Sequence, residues 1–464
     1  LLRKGWSQIQ VGLKDDPALR AEVARPLGLM LQSSGDMVAA TAALSMSRDH
    51  LVATGQVRTR QYLQVLQNLA YMHSRVGRAD EAKTLLREII SISKHMNDAA
   101  TEETVDAQIQ LGEIARREGE LTQARAQLAA AASEARERLG THHRLYVLAL
   151  QEQADVMREL GDWAETKRLL ASIVGVQQSG KPNESLIARF NLATLDVELG
   201  NYRQAATELR EVTRGMGTLF GPQDTFAIYS GTWLAVSLFH TGAFAESDAA
   251  ITVAYQAATQ TTEPNVRHSV QVVMARQLLR RGRCSEAEPL LRESLAQFEA
   301  GEATSKPFAE RARMLLAECA LRGGHADQAL SELNRVVQNQ RAFYGDKHLD
   351  LWPSLLLQAL ATDASQGIAA ARGGYEQATA MALAMLPPEH PDRLRALVYK
   401  NQSLWRADRS PEARQALVAA LQAYGNVLSE RPDGAGYSVL SKELLEQGPA
   451  AKPSLAPLLA LLSY

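Results

Sequence analysis

Gly77-Arg78-Ala79-Asp80-Glu81-Ala82-Lys83-Thr84-Leu85-Leu86-Arg87-Glu88-Ile89-Ile90 is a glycine turn followed by an amphipathic helical run, and the same frame returns along the chain. A glycine followed five residues later by a small residue occurs at Gly35/Ala40, Gly77/Ala82, Gly119/Ala124, Gly161/Thr166, Gly200/Ala205, Gly242/Ser247, Gly282/Ala287 and Gly324/Ala329. The steps between these glycines are 42, 42, 42, 39, 42, 40 and 42 residues. A fixed period of this length marks a solenoid, in which no single unit buries its apolar face and stacking supplies the core. The glycine can end one helix in the left-handed conformation, and the small residue opens the next helix where two must approach closely. A second small residue lies seven positions before each glycine, at Gly28, Ala70, Gly112, Ala154, Ala193, Ala235, Ala275 and Ala317, so each unit reads as a helical hairpin packed at short interaxial distance. Nothing in the pattern nominates catalysis. It implies a binding surface.

Length and composition agree. A chain of 464 residues is too long for one compact core, but a repeat array grows in one dimension and escapes that limit. Lys and Arg number 50 against 52 Asp and Glu, a formal net charge of -2, which gives no nucleic-acid footprint and no membrane-surface patch. Cys284 and Cys319 are too few for a disulfide framework or a zinc site. No apolar run reaches the roughly 18 residues that a membrane span needs. The opening Leu1-Leu2-Arg3-Lys4 lacks an initiating Met and a leader pattern, and reads as a cut inside a longer protein.

Taken in order, residues 1–16 form an amphipathic lead-in helix, with Leu2, Trp6, Ile9 and Leu13 at helical spacing. Asp16-Pro17 then makes a helix start, an acidic cap before a proline at the first helical position. Eight repeats occupy 17–345, the first with Pro26 inside its first helix, where a kink is expected. Two degenerate repeats follow over 346–430, one with Gly367 and Ala370, the other with Asp408 in the glycine position and Ala413 in the small slot. Arg431-Pro432-Asp433-Gly434-Ala435-Gly436 breaks helix, and the leucine-rich remainder to 464 caps the open end.

Chemical motifs are few. Gly175-x-x-x-x-Gly180-Lys181 fits a phosphate-binding loop until its last position, where Pro182 replaces the hydroxyl residue that holds magnesium. Its place between two helical patterns makes it an inter-repeat turn, with Pro182 starting the next helix. His142-His143 has no carboxylate or thiol at ligand spacing, and reads with His348 and His390 as turn packing. Cys284 falls in the slot of Trp163, Tyr202 and Phe244, a core position, and Cys319 is a packing residue too. No cofactor, metal site or catalytic residue is indicated for this stretch of chain.

Asn68-Leu69-Ala70, Tyr71, Gly77, Ala82 and Leu86, with Asn191-Leu192-Ala193, Gly200, Tyr202 and Ala205, resemble the tetratricopeptide repeat. The long period and the connections at 139–143, 220–224, 344–348 and 388–392 are similar to those of the kinesin-light-chain type. The resemblance implies an all-α, right-handed superhelical solenoid of about ten hairpins whose first helices line a concave groove. The groove positions that it implies are Asn68, Tyr71, Arg75, Gln110, Glu113, Arg117, Glu152, Asp155, Asn191, Thr194 and Trp233. Asn68 and Asn191 match the groove asparagine of that type, whereas Glu152 and Trp233 depart from it. The groove is expected to hold a protein or peptide segment, with side-chain amides reading the backbone. The alternative is a small ligand held near Phe190, Trp233 and Phe239, in a sensing repeat domain of a bacterial transcriptional or signalling regulator.

The opening, Leu1-Leu2-x-x-Gly5, Ile9, Leu13, Asp16-Pro17-x-Leu19-Arg20-Ala21-Glu22 and Leu27-Gly28, is similar to the segment that begins the tetratricopeptide region of bacterial serine/threonine protein kinases. That resemblance implies a sensor or recruitment region fused to an upstream kinase, in a soluble domain of a membrane-tethered or cytoplasmic protein, the periplasmic side included. The kinase motifs themselves are absent from this sequence.

Overall fold

The computed structural model describes residues 2–463 apart from 14, 35, 97–100, 178–181, 262, 302–304, 430, 433 and 448–454. The side chains of Gln10, Arg75, Gln177, 182–184, Pro264 and Ala435 also lie outside the described set. Among the described residues every regular element is helical, and the helices fall into two compact units, Leu1–Lys181 and Pro182–Tyr464. Unit 1 holds α1 (Leu2–Gly12), α2 (Pro17–Ser33), α3 (Met37–Ala53), α4 (Arg60–Arg75), α5 (Ala79–Ser93), α6 (Thr101–Arg117), α7 (Leu121–Arg138), α8 (Arg144–Glu159) and α9 (Trp163–Gln177). Unit 2 begins with α10 (Pro182–Glu198), α11 (Tyr202–Phe220), α12 (Thr225–His240), α13 (Phe244–Ala258), α14 (Pro264–Arg280), α15 (Cys284–Ala300), α16 (Lys306–Arg322) and α17 (Ala326–Tyr344). It continues with α18 (Leu351–Gln366), α19 (Ile368–Met385), α20 (Pro391–Asp408), α21 (Pro411–Leu428), α22 (Gly434–Glu446) and α23 (Ala456–Leu461).

Each hairpin is built as the repeat frame requires. Gly77 has φ 80°, and the glycines in register with it at 119, 161, 200, 242, 282 and 324 lie between 74° and 83°. A residue with a Cβ resists that left-handed conformation, so glycine ends the first helix and turns the chain into the second. The small slots are the closest approach. Ala70 and Ala82 are wholly buried, and a Cβ on Gly112 would stand 2.5 Å from Leu128 Cγ. Where the slot is polar its hydroxyl is satisfied, Ser247 Oγ donating to Ala235 O at 2.7 Å. Even-numbered helices also touch one another in sequence, α4 to α6 and α6 to α8 in unit 1, and α10 through α18 in unit 2. These even rows carry the faces that matter below.

The caps follow the sequence reading. Asp16 Oδ1 accepts from Leu19 N at 2.9 Å with Pro17 opening α2, which runs through Pro26 to Ser33. His143 and His390 cap α8 and α20, their Nδ1 atoms accepting from Leu145 N and Asp392 N. His348 stacks on Tyr344 with ring centroids 4.0 Å apart. Most of the phosphate-loop look-alike, 178–181, lies outside the described residues, but α9 precedes it and Pro182 begins α10.

Three expectations need correction. The small residue after Gly367 is the buried Ala371, since Ala370 is exposed. In the last degenerate repeat the left-handed residue is Arg409, at φ 52°, one position beyond Asp408, because α20 runs a residue longer. Gly434 and Gly436 lie within α22, which starts at Gly434; the interruption is confined to the few residues after Leu428. A Cβ on Gly434 would meet Leu428 O at 2.7 Å, so the glycine there allows close approach of backbone. α22 packs on α21 through Tyr437, whose hydroxyl donates to Leu421 O at 3.0 Å and whose ring meets Tyr424 edge-on. α23 packs on α22 and also meets side chains of α16 and α20.

Candidate functional site

The even row of unit 1 brings together most of the groove positions of that unit. On α4, Tyr71 is 42% exposed, and Asn68 Nδ2 donates to Gln64 O of its own helix at 2.7 Å. Arg75 closes that helix, and its side chain lies outside the described residues. Gln110 of α6 donates to Asp106 Oδ2 at 2.5 Å, and Gln67 of α4 donates to the same oxygen. Arg117 spans two helices, with Nη1 3.0 Å from Ser74 Oγ and Nη2 3.2 Å from Glu113. Arg116 reaches across to α8, pairing with Glu159 at 2.6 Å and standing 3.7 Å from Glu152. Asp155 pairs with Arg158 at 2.8 Å.

Among the described side chains, carboxylates on this face outnumber the cations that reach them. Burial pushes Glu113 and Asp155 above their ordinary range despite Arg117 and Arg158. Glu152 goes furthest, to about 7, through burial first and then repulsion from Glu113 and Asp155. Its side chain is 15% exposed, and its buried Oε2 accepts no hydrogen bond from the described residues. A half-buried carboxyl whose burial and like-charged neighbours outweigh the guanidiniums of Arg116 and Arg117 favours its protonated form. Asp106, Gln67 and Arg116 belong to this face although the three groove positions per repeat omit them. Asp106 lies one helical turn before Gln110, and extending the stripe by i, i+4 would have found it.

In unit 2 the remaining groove positions separate. Thr194 Oγ1 donates to Asn191 O at 2.9 Å within α10, and Trp233 packs with Phe190 in one apolar cluster. Phe239, expected beside them, instead meets Phe244 edge-on at 5.2 Å, with Arg281 over both rings. A half-open cavity of about 330 Å³ lies nearby, lined among others by Gly200, Tyr202, His240, Pro391 and Arg431. Tyr202 and His240 stack across its wall with ring centroids 4.3 Å apart, and burial holds the His240 imidazole well below its usual basicity. Further along the even row arginines dominate. Glu318 is fully buried between Arg280 at 3.3 Å and Arg322 at 2.9 Å. Burial would raise its carboxyl, but the two guanidiniums outweigh that and leave it below the usual range. Arg276 has its pKa brought down to about 10 by burial and by Arg280 and Arg311. Behind them Arg406 and Asp363 form a two-pronged pair at 2.6 and 3.0 Å with almost no exposure, and Tyr375 donates to the same carboxylate.

Among the described residues no group of three or more His, Cys, Asp or Glu is arranged to hold a metal ion, and no helix is long and apolar enough to cross a membrane. Cys319 is buried, and burial together with the neighbouring Cys284 thiol raises its pKa beyond the range of a reactive thiolate.

Tetratricopeptide-repeat family models match residues 63–98, 186–211 and 272–343, so both units contain such repeats. No curated protein matches the chain. Among solved structures it is similar to a Podosopora anserina putative kinesin light chain with nearly identical TPR-like repeats, at 18% identity and a TM-score of 0.38 over 43% of this chain and 95% of that one. It is also similar to NprR in complex with its cognate peptide NprX, at 12% identity and 0.48 over 74% and 99% of the two chains. A human IFIT1 dimer with PPP-AAAA gives 13% identity and 0.47 over 92% and 91%.

Proposed function

We propose that this chain is a non-catalytic scaffold for protein or peptide segments, and that the even row of unit 1 takes an extended segment presenting a basic side chain to Glu152. The observation that carries this reading is the charge deficit on that face: Glu152, raised to about 7, stands among Glu113 and Asp155, with Arg116 committed to Glu159. A guanidinium or ammonium supplied by a ligand would restore the ionised carboxylate and gain a charge-assisted hydrogen bond. Gln110, Arg117 and the exposed Tyr71 then flank the bound backbone. Asn191, Thr194 and Trp233 would contact a segment held by unit 2.

The division into a lead-in over 1–16, eight repeats over 17–345, two degenerate ones over 346–430 and a terminal portion over 431–464 is part of the same reading. So is its place as the sensor or recruitment region of a bacterial serine/threonine kinase signalling protein, which rests on the resemblance of residues 1–28. A second reading, a small-ligand sensor, is favoured by the cavity beside Tyr202 and His240, and a thermal-shift screen addresses it.

The test is fluorescence anisotropy of the whole chain with short extended peptides bearing arginine or lysine, set against the same peptides bearing glutamine. Basic peptides should bind, and the combined Glu113→Gln, Glu152→Gln and Asp155→Asn variant should lose at least about tenfold in affinity, some 1.4 kcal/mol. Equal binding of basic and glutamine peptides would reject the reading.

A further inference from the structure

The terminal portion does two separate jobs. α22 covers α21, so the end of the array is closed before α23 begins. α23 packs on α22, and it also sits where side chains of α16 and α20 offer hydrogen-bond donors. Tyr399 Oη donates to Leu458 O at 2.8 Å, Arg322 Nη2 to Leu459 O at 3.2 Å and Arg395 Nη1 to Leu462 O at 3.5 Å. All three acceptors are carbonyls at the C-terminal end of α23, where helix carbonyls run short of backbone partners, although Leu459 O also accepts from Leu462 N at 3.2 Å. Leu458, Leu461 and Leu462, at helical positions i, i+3 and i+4, are buried in one apolar cluster with Tyr399 of α20 and Leu440 and Leu444 of α22.

This is how a groove reads a short amphipathic helix: side chains satisfy its main chain while leucines at i, i+3 and i+4 fill apolar surface. A helix of six residues does not hold itself together in water, so α23 owes its form to α22 and to the side chains of α16 and α20 that it meets. The donors are fixed independently of the segment they bind. Arg322 is held by Glu318, and Arg395 by Asp392 at 2.5 Å and by the Trp352 ring. The connection to α22, Gly448-Pro449-Ala450-Ala451-Lys452-Pro453-Ser454, lies outside the described residues.

We infer that the face formed by Arg322, Arg395 and Tyr399 is a second binding site, distinct from the unit 1 row, for a short partner helix with leucines at i, i+3 and i+4. Residues 455–462 are its internal ligand and compete with the partner for it. Occupancy by the chain's own segment keeps the site closed until a better helix displaces it.

The test uses the whole chain and a labelled peptide of sequence 455–463. The wild-type chain should bind it weakly. The double variant Leu458→Asp and Leu461→Asp, which releases the internal segment, should bind it at least tenfold more tightly. Adding Tyr399→Phe and Arg322→Gln to that variant should reverse the gain, and a peptide with its leucines moved off the i, i+3, i+4 pattern should not bind. Circular dichroism and the unfolding transition of the double variant are read alongside. Retained cooperative unfolding without peptide binding overturns the inference. So does loss of the folded state, because the segment is then part of the core and not a ligand. A doubling of mass in light scattering that excess peptide leaves intact assigns the face to a second copy of the chain, and overturns the partner-helix assignment too.

Discussion

Glu113 in unit 1 and Glu318 in unit 2 occupy the same slot, one residue after the small position of an even helix, and their carboxyls are driven in opposite directions. Glu113 is raised by burial, even though Arg117 pairs with it and Arg116 stands near. Glu318 is lowered because Arg280 and Arg322 flank it. The fold fixes where such side chains stand, but the neighbouring repeats decide whether the charge is answered. On the function proposed above, the carboxylates of unit 1 are the ones a ligand would neutralise. Unit 2 flanks Glu318 with two guanidiniums, and its arginines also bind the carbonyls of residues 459 and 462.

The largest break in that contrast is expected at Arg406. Removing it as Arg406→Ala strands Asp363, which is fully buried, and should cost about 3–5 kcal/mol in denaturant unfolding. The corresponding Arg116→Ala in unit 1 removes a partly exposed guanidinium and should cost no more than about 1 kcal/mol. Near-equal losses would remove the distinction between a self-satisfied row and an open one.

Glycine turns sharpen it next. Gly77 and Gly200 share φ 80°, yet a Cβ on Gly77 meets nothing, whereas one on Gly200 would lie 2.6 Å from Pro391 Cδ. Gly77→Ala should therefore cost about 1 kcal/mol from conformation alone. Gly200→Ala should cost about 2–4 kcal/mol, because overpacking adds to strain. Thermal unfolding of the two variants side by side measures the difference.

The smallest effect is a gain. Glu152 takes up its proton more readily folded than unfolded, so between about pH 4.5 and 7 the folded chain carries a proton that the unfolded chain has released. Stability contributed by this group is therefore full at low pH and falls as pH rises through that window. Glu152→Gln should raise stability by on the order of 1–2 kcal/mol at pH 8 and leave it unchanged near pH 4. A loss at pH 8 would mean that the carboxylate is already well paired.

Much of this was legible in the sequence, for a local reason. The period, the left-handed glycines and the small slots each depend on residues within one hairpin, and a fixed spacing exposes them. The same frame placed Glu113, Arg117, Glu152, Glu318 and Arg322 on the even rows. Long-range closure was not legible. The bond from Arg322 to Leu459 spans 137 residues, and no local pattern announces that the last leucines also reach an arginine so far back in the chain. The register of the eroded repeats was misread by one residue at Ala371 and at Arg409, where helix length changes and the glycine signal fails.

The most direct measurement is the titration of the Glu152 carboxyl by carbon NMR on the whole chain labelled at glutamate, with Glu152→Gln for assignment. A midpoint near 7 that drops when a basic peptide is added is the predicted result. A midpoint at the ordinary 4.5, unmoved by the peptide, would contradict the claim that this face awaits a cation.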